Sequence, residues 1–352
     1  MTDQYQVYLD PSSNIIYSSY YIKGLYEVFG KNNVTFSSHN FQELDKKNEE
    51  WSYDSYMALV IKSRETLCKI IIDFGDDSPI RENAYRWCDL YAKVNINPEK
   101  LSEQFKTKIF SISPGFGIKV WTAIESLYHS IFNLLKLRFS PQVSLKNYFR
   151  SYLSQIKQLR IEDFRRPTTA KLPRRDYVFF VSSLWPHPNC ITGTNRYRKM
   201  YIESCRKQPI DFEGGFWVND RDHPQFSEFK DLTISKRYLL TDYIAKTKMS
   251  LFVFNTPAVH NCHGWKLGQF LAMGKAIIST PFQNALPEDL VHGKNIHFVS
   301  DGKEMDVAVE KLLHDENYRK KLEEGAKDYY LKHVTPSAVI LKICNRLNID
   351  VR

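Results

Sequence analysis

From Met249 to Pro281 the chain reads MSLFVFNTPAVHNCHGWKLGQFLAMGKAIISTP. The apolar run at 251–254 and the β-branched run at 276–279 each suit a strand buried on both faces of a parallel sheet. Parallel neighbours need a crossover, and the residues between the two runs supply it. A loop at 257–264 with Pro, Asn and Gly leads into helical spacing through Trp265, Leu267, Gln269, Leu271 and Met273, and Gly274 is a natural helix stop. Strand, loop, helix and strand in that order define an α/β chain.

In an open α/β sheet, ligands sit beyond the carboxyl ends of the strands, where loops enter helices whose amide-rich N-termini favour phosphate. The loop after the 251–254 strand occupies such a place. Around it stand Asn255, Thr256, His260, Asn261, His263, Gly264, Trp265 and Lys266, donors and acceptors suited to a phosphorylated, hydroxyl-rich ligand.

Three further stretches carry a resemblance. Gln269-Phe270-Leu271-Ala272-Met273-Gly274-Lys275-Ala276-Ile277-Ile278 is followed by Leu286-Pro287-Glu288-Asp289-Leu290-Val291-His292-Gly293-Lys294-Asn295 and then by Asp315-Glu316-Asn317-Tyr318-Arg319. In this order they resemble the C-terminal, nucleotide-sugar half of the two-domain GT-B glycosyltransferases, especially the group-1 (family 4) class, over 242–336. The resemblance implies two Rossmann-like parallel-sheet domains facing a cleft, with a C-terminal helix crossing back to the N-terminal domain. It implies a nucleotide-sugar-dependent glycosyltransferase of hexosyltransferase type. The donor would be UDP- or GDP-linked and the acceptor a glycan or a lipid-linked glycan, in surface polysaccharide assembly, with no cofactor and no metal.

In that family two glutamates eight positions apart bracket the loop and the helix start. Here those positions are Asn261 and Gln269. Amides hydrogen-bond hydroxyl groups but supply no negative charge to a developing oxocarbenium centre. Retention and inversion therefore both stay open, and the Gly264-Trp265 pair is also similar to inverting exostosin-like transferases. The alternative is a catalytically inactive GT-B-like module that binds nucleotide or glycan.

At 352 residues with 43% hydrophobic content, the chain has room for two domains of ordinary size. No apolar run reaches the roughly 18 residues that span a bilayer, and MTDQYQVYLD lacks a basic region followed by an apolar core, so the expectation is a cytoplasmic protein. Six cysteines without CxxC spacing indicate neither a disulfide framework nor a zinc site. Cys262 with His260 and His263 falls within four residues and has no second cluster, so no metal is expected. The net charge of +9 is local: 121–175 holds eleven Lys/Arg against three Asp/Glu. With no nucleic-acid module in the sequence, nucleic acid is not an expected partner.

Taken in order, the N-terminal part predicts strands at 6–9, 34–37, 57–61, 70–74, 93–96 and 108–112. Helices are expected after Ser18/Ser19 and near 42–50 and 81–90, making a parallel α/β sheet. The loop Asp73-Phe74-Gly75-Asp76-Asp77-Ser78-Pro79 follows an apolar strand, and Asp73 is the candidate general base for an acceptor hydroxyl. Asp76, Asp77 and Ser78 serve equally as caps for the helix near Ile80. Between 121 and 160, Ile124, Leu127, Tyr128, Ile131, Leu134 and Leu135, then Tyr148, Tyr152, Ile156 and Leu159, give two amphipathic helices. Their basic faces suit either solvent or an anionic membrane, so 121–175 is a candidate peripheral membrane contact.

The Pro- and Arg-rich stretch at 164–176 marks a linker. The expected organisation is an acceptor domain at 1–170, a donor domain at 171–336 and a crossover helix at 337–352. In the donor domain a strand at 177–183 feeds a loop and then a helix through Asn195-Arg196-Tyr197-Arg198-Lys199. The family's phosphate-holding arginine falls on Ser183, which leaves Arg196, Arg198 or Lys199 to replace it. Thr192 and Thr194 either cap that helix or touch ligand. A strand at 212–218 and a helix at 235–244 complete the approach to 249. The candidate catalytic residues are Asp73 and His263. The candidate donor-binding residues are Asn255, Thr256, Asn261, Gly264, Trp265, Lys266, Gln269, Thr194 and Arg198.

Overall fold

The computed structural model describes residues 5–46, 52–137, 144–167, 176–218 and 223–351. The chain forms two compact units, one of Met1–Ile161, Asn284–Glu288 and Lys332–Arg352, the other of Glu162–Gln283 and Asp289–Leu331.

In the first unit β1 (Gln6–Leu9) leads to α1 (Ile15–Phe29), β2 (Val34–Phe36), the one-turn α2 (Ser52–Ser55), β3 (Tyr56–Lys62), β4 (Leu67–Asp73), α3 (Glu82–Trp87), β5 (Leu90–Lys93) and β6 (Ile109–Ser111). Helices α4 (Ala123–Lys136) and α5 (Leu145–Lys157) follow. The strands form one sheet in the order β2-β1-β3-β4-β5-β6. The sheet is not wholly parallel: β3 runs antiparallel to both β1 and β4. Only Ser63–Thr66 joins β3 to β4, closed by Ser63 N donating to Thr66 O at 2.8 Å, and so short a link makes a hairpin rather than a crossover. The strand expected at 93–96 lies earlier, at β5, and the helix expected at 42–50 falls partly outside the described residues.

Helix α1 starts where the Asn14 side chain accepts from Ile16 N and ends at Gly30. Its Tyr20, Tyr21, Ile22 and Leu25 are buried. The final helix, α13 by chain order (Pro336–Arg346), packs against α1, as the sequence ending predicts. A Cβ on Gly24 would lie 2.2 Å from Pro336 O, so only glycine permits this approach.

The second unit contains α6 (Ile161–Arg165), which straddles its start, β7 (Tyr177–Ser183), α7 (Asn195–Lys207), β8 (Asp211–Trp217), α8 (Phe226–Phe229) and β9 (Thr233–Ile234). It continues through α9 (Leu240–Met249), β10 (Phe252–Asn255), α10 (Trp265–Ala272), β11 (Ala276–Ser279), β12 (His297–Phe298), α11 (Gly302–His314) and α12 (Glu316–Tyr329). Two three-stranded parallel sheets result, β7-β8-β9 and β10-β11-β12. Leu251 N donates to Tyr177 O at 2.9 Å, and the Ser250 hydroxyl both accepts from Phe179 N at 3.0 Å and donates to Phe252 O at 2.7 Å. One serine side chain therefore takes the place of a backbone rung between β7 and β10.

The predicted strand–loop–helix–strand stretch is present as β10, α10 and β11, with Phe252 opposite Ala276 and Asn255 opposite Ser279. Ile277 and Ile278 are fully buried, worth on the order of 2–3 kcal/mol each. Gly274, at φ 61°, ends α10: its N–H donates to Leu271 O at 3.0 Å and Lys275 N donates to Phe270 O at 3.1 Å, a paired Schellman closure.

Three sequence boundaries shift. The second unit begins at Glu162 rather than near 171, because Lys248 Nζ ties down the carbonyls of Asp163 and Arg166. Residues 284–288 belong to the first unit, where Ala285 N donates to Ile96 O at 2.8 Å. The helix expected at 235–244 starts at Leu240, leaving 235–239 outside any helix.

Candidate functional site

A cavity of about 530 Å³ opens at the carboxyl ends of β7, β8 and β10 within the second unit. Val181, Ser182 and Ser183 line it from the end of β7, Trp217 from β8, and Asn255 and Thr256 from the end of β10. Gly264, Trp265 and Lys266 bring in the start of α10, and Arg198 comes from α7. Parallel strands all end on one edge, so the placement follows from topology. Among the described residues that line it, four are basic (Arg198, Lys236, Arg237, Lys266), five are Trp or Tyr, and none is acidic.

Arg198 is 5% exposed. Its Nε donates to Thr256 Oγ1 and its Nη1 to Ser183 O, each at 3.1 Å. Burial lowers its pKa to about 10, which leaves it charged at neutral pH. Lys266 donates from Nζ to Val181 O at 2.5 Å. Burial, reinforced by the Arg198 charge, pushes the Lys266 ammonium down to about 7. Gly264 caps α10 and, having no side chain, makes no side-chain cap bond.

The loop 235–239 forms the opposite wall. Arg237 lies over the Trp217 ring at 5.7 Å. Tyr238 donates to Glu213 Oε1 at 2.8 Å, and Glu213 also receives Tyr177 OH and Lys246 Nζ, both at 2.7 Å. Burial raises the Glu213 pKa, but those three donors outweigh it and hold the carboxylate below its ordinary range.

Among the sequence candidates, the cavity gathers Asn255, Thr256, Gly264, Trp265, Lys266 and Arg198. Thr194, Asn261, Gln269 and His263 do not line it. Thr194 Oγ1 neither caps α7 nor faces the cavity but donates to Pro257 O at 2.9 Å. Thr192 Oγ1 donates to Pro188 O at 3.1 Å. Asn261 has its Oδ1 bonded by Asn189 Nδ2 at 3.1 Å and its Nδ2 bonded to Gln283 Oε1 at 2.9 Å. With His260 it forms a left-handed pair at φ 54° and 59°, a backbone that non-glycine residues seldom adopt. Gln269 is buried in α10, and His263 is buried with its ring edge-on to Phe282 at 5.1 Å.

Asp73 stands at the end of β4 in the first unit, and both it and Lys93 are fully buried. Its Oδ2 accepts from Tyr91 OH at 2.5 Å and forms an ion pair with Lys93 Nζ at 2.9 Å, while Oδ1 accepts from Gly75 N at 2.9 Å. That carboxylate braces its loop. Asp77 pairs with Arg81 at 2.9 Å.

Sequence reading missed Trp185, Trp217, Lys236, Arg237, Tyr238 and Tyr243. The signal for three of them was the adjacent triplet Lys236-Arg237-Tyr238, hidden by assigning 235–244 to a helix. Among the described residues, no group of three or more His, Cys, Asp or Glu side chains is placed to hold a metal ion, and no helix is long and apolar enough to cross a membrane.

No family model matches the chain, and no curated protein sequence matches it. It is similar to solved structures at low identity. Anabaena HepE with UDP and glucose is 14% identical over 76% of this chain and 65% of that one, with a TM-score of 0.44. The C-terminal domain of the group 1 family glycosyl transferase LpcC from Francisella tularensis is 17% identical over 49% of this chain and 96% of that domain, at 0.38. TarM is 9% identical over 75% of this chain, at 0.43, and this chain spans 44% of its length.

Proposed function

We propose that the cavity of the second unit holds the diphosphate and base of a UDP- or GDP-linked sugar, and that the chain is a GT-B glycosyltransferase. The sugar goes to a glycan or lipid-linked acceptor, as in surface polysaccharide assembly. One observation carries this: among the described residues, four cations and five aromatic rings line the cavity and no acid does. Neither hydrogen-bond partner of the Arg198 guanidinium is an acid, so a bound anion is its natural counter-charge. Aromatic rings beside such a site offer stacking surfaces to a base.

In this reading Arg198, Lys266 and the first-turn amides of α10 take up the charge that builds on the departing diphosphate. Asp73, engaged by two hydrogen-bond donors and the Lys93 ion pair, positions its loop instead of abstracting a proton. His263, outside the cavity and packed against Phe282, is not assigned to the chemistry. Trp265 and Gly264 place the helix start against the donor.

The engaged amide of Asn261 and the absence of a carboxylate among the described lining residues favour a second reading, a nucleotide-binding module without turnover. Thermal unfolding with UDP, GDP, CMP and ADP separates the outcomes. A ligand that binds only the folded state raises the melting temperature, by about 2.7 kcal/mol of stability at a hundredfold excess over Kd. A selective shift that is lost in Lys236→Ala/Arg237→Ala supports the site. Donor-sugar hydrolysis or transfer then supports the enzyme, and a shift without either supports the module. No shift with any nucleotide rejects both.

A further inference from the structure

The four cations of the cavity are not equivalent. Arg198 and Lys266 are bonded at the ends of β7 and β10, each donating to a carbonyl or hydroxyl that fixes its direction. Lys236 and Arg237 come from the loop 235–239 on the opposite wall, and both are exposed. Neither makes a hydrogen bond or an ion pair with a described residue: Arg237 lies over the Trp217 ring at 5.7 Å and Lys236 over the Tyr238 ring at 4.9 Å. The acids near this loop do not neutralise them. Glu213 receives Tyr177, Tyr238 and Lys246, and Asp242, in the first turn of α9, pairs with neither cation and does not line the cavity. The loop itself is anchored, because Tyr238 donates to Glu213 at 2.8 Å and its ring meets Phe179 edge-on at 5.1 Å. An anchored wall therefore presents two cations without a protein counter-charge.

If the cavity holds a nucleotide sugar, the diphosphate answers the first pair of cations. Each of its phosphates is linked on both sides and keeps a single charge. The ribose hydroxyls and a uracil or guanine ring are neutral near pH 7, so a donor with a neutral sugar has nothing to set against Arg237. Closing such a donor over the guanidinium would take water from a charge and leave it only dipoles. A carboxylate restores the balance. The guanidinium fork matches it with two parallel bonds, each roughly twice as strong as a neutral one. On a nucleotide sugar, the place left for that carboxylate is the sugar ring.

We propose that the donor is a nucleotide-linked uronic acid, a UDP- or GDP-sugar whose ring bears a carboxylate, and that Arg237 receives this carboxylate and selects for it. Lys236 beside it adds to the positive field of the same wall. The inference rests on the proposed donor site and narrows its substrate class.

Titration calorimetry of the full chain tests it with UDP, GDP and two donor pairs: UDP-glucose against UDP-glucuronic acid, and GDP-mannose against GDP-mannuronic acid. Within the pair whose nucleoside diphosphate binds, the acid donor is expected to bind at least about tenfold more tightly than the neutral one. Arg237→Gln should weaken the acid donor at least about tenfold more than the neutral donor, which is the coupling expected of a direct contact between this side chain and the carboxylate. Arg237→Lys keeps the charge without the fork and should recover only part of the preference. Because Arg237 is exposed, both variants should melt with the wild type, which shows that they are folded before titration. Equal affinity of the wild type for the two donors overturns the inference and leaves the donor site standing. An Arg237→Gln chain that loses both donors to the same extent, or that keeps the full preference, overturns it as well. Failure of UDP, GDP and all four donors to bind rejects the donor site and the inference with it.

Discussion

Arg198 Nε donates to Thr256 Oγ1 at 3.1 Å, a buried bond that fastens α7 to the first residue beyond β10. The same guanidinium reaches the Ser183 carbonyl at the end of β7, so one side chain fixes two walls of the cavity. A planar fork can hold both acceptors and still face an anion, and an ammonium group cannot. Arg198→Lys should therefore weaken binding of the stabilising nucleotide about 10–100-fold by calorimetry. Thr256→Val, which removes one neutral partner, should cost about tenfold or less. Unchanged affinity in Arg198→Lys would take this residue out of the site.

Lys266 predicts two opposite pH trends. Its folded pKa is about 7 against an ordinary 10.5. Below pH 7 the folded and unfolded chains both carry the proton; between about 7 and 10.5 only the unfolded chain does. Stability therefore rises with pH across that window. Burying the ammonium costs about 1.4 kcal/mol for each unit of depression. Lys266→Met should flatten the rise and melt higher at neutral pH. Nucleotide binding runs the other way, since a diphosphate selects the ammonium form and affinity should fall by up to about tenfold per unit above pH 7. A pH-independent affinity in the wild type would separate Lys266 from the phosphates.

The stretch at 249–281 was legible because apolar runs, a Gly stop and a crossover length all point to one local structure. The antiparallel turn of β3 was less so: six of its seven residues are buried, and such a strand looks alike in either direction. Helical spacing located α4 but not its outward face, because periodicity finds a stripe and cannot say which side the protein lies on. Loop 235–239 escaped for a similar reason. Its cations sit at positions a helix would tolerate, and only the fold turns Arg237 over Trp217 and Lys236 over Tyr238. Asn261 and Gln269 were aligned onto family carboxylates, yet neither lines the cavity. Asp73 was placed correctly at a strand end, but its burial by Lys93 and Tyr91 comes from neighbouring strand β5, which local sequence does not reveal.

Gly214 and Gly215 make a stability prediction inside β8. Both have positive φ, 130° and 150°. A Cβ on Gly214 would stand 1.8 Å from Phe180 O and one on Gly215 2.3 Å from Leu232 O, and both obstacles are backbone. Neither side can give way without breaking the sheet. Gly214→Ala should lose roughly 3 kcal/mol or more in urea unfolding, through overpacking added to backbone strain. Gly193 is the control: nothing lies within 4 Å of its would-be Cβ, so Gly193→Ala should fall within about 0.5 kcal/mol of wild type. Equal stability of all three proteins would contradict the close approach of β7 and β8.

The buried pair of Asp73 and Lys93 yields the last prediction. With both side chains inaccessible, the ion pair at 2.9 Å gains little from solvent and loses much if broken. Lys93→Met strands a carboxylate that Tyr91 and Gly75 alone must satisfy, at a cost of about 3–5 kcal/mol. Asp73→Asn keeps the shape, but its amide lacks the charge that holds Lys93, and a similar loss is expected. The double variant Asp73→Asn/Lys93→Met removes both charges together, so its destabilisation should fall well short of the sum of the two single losses, by about 2 kcal/mol or more. Strict additivity in a urea double-mutant cycle would mean the two groups do not depend on each other. Asp73 would then be available for a role other than bracing its loop.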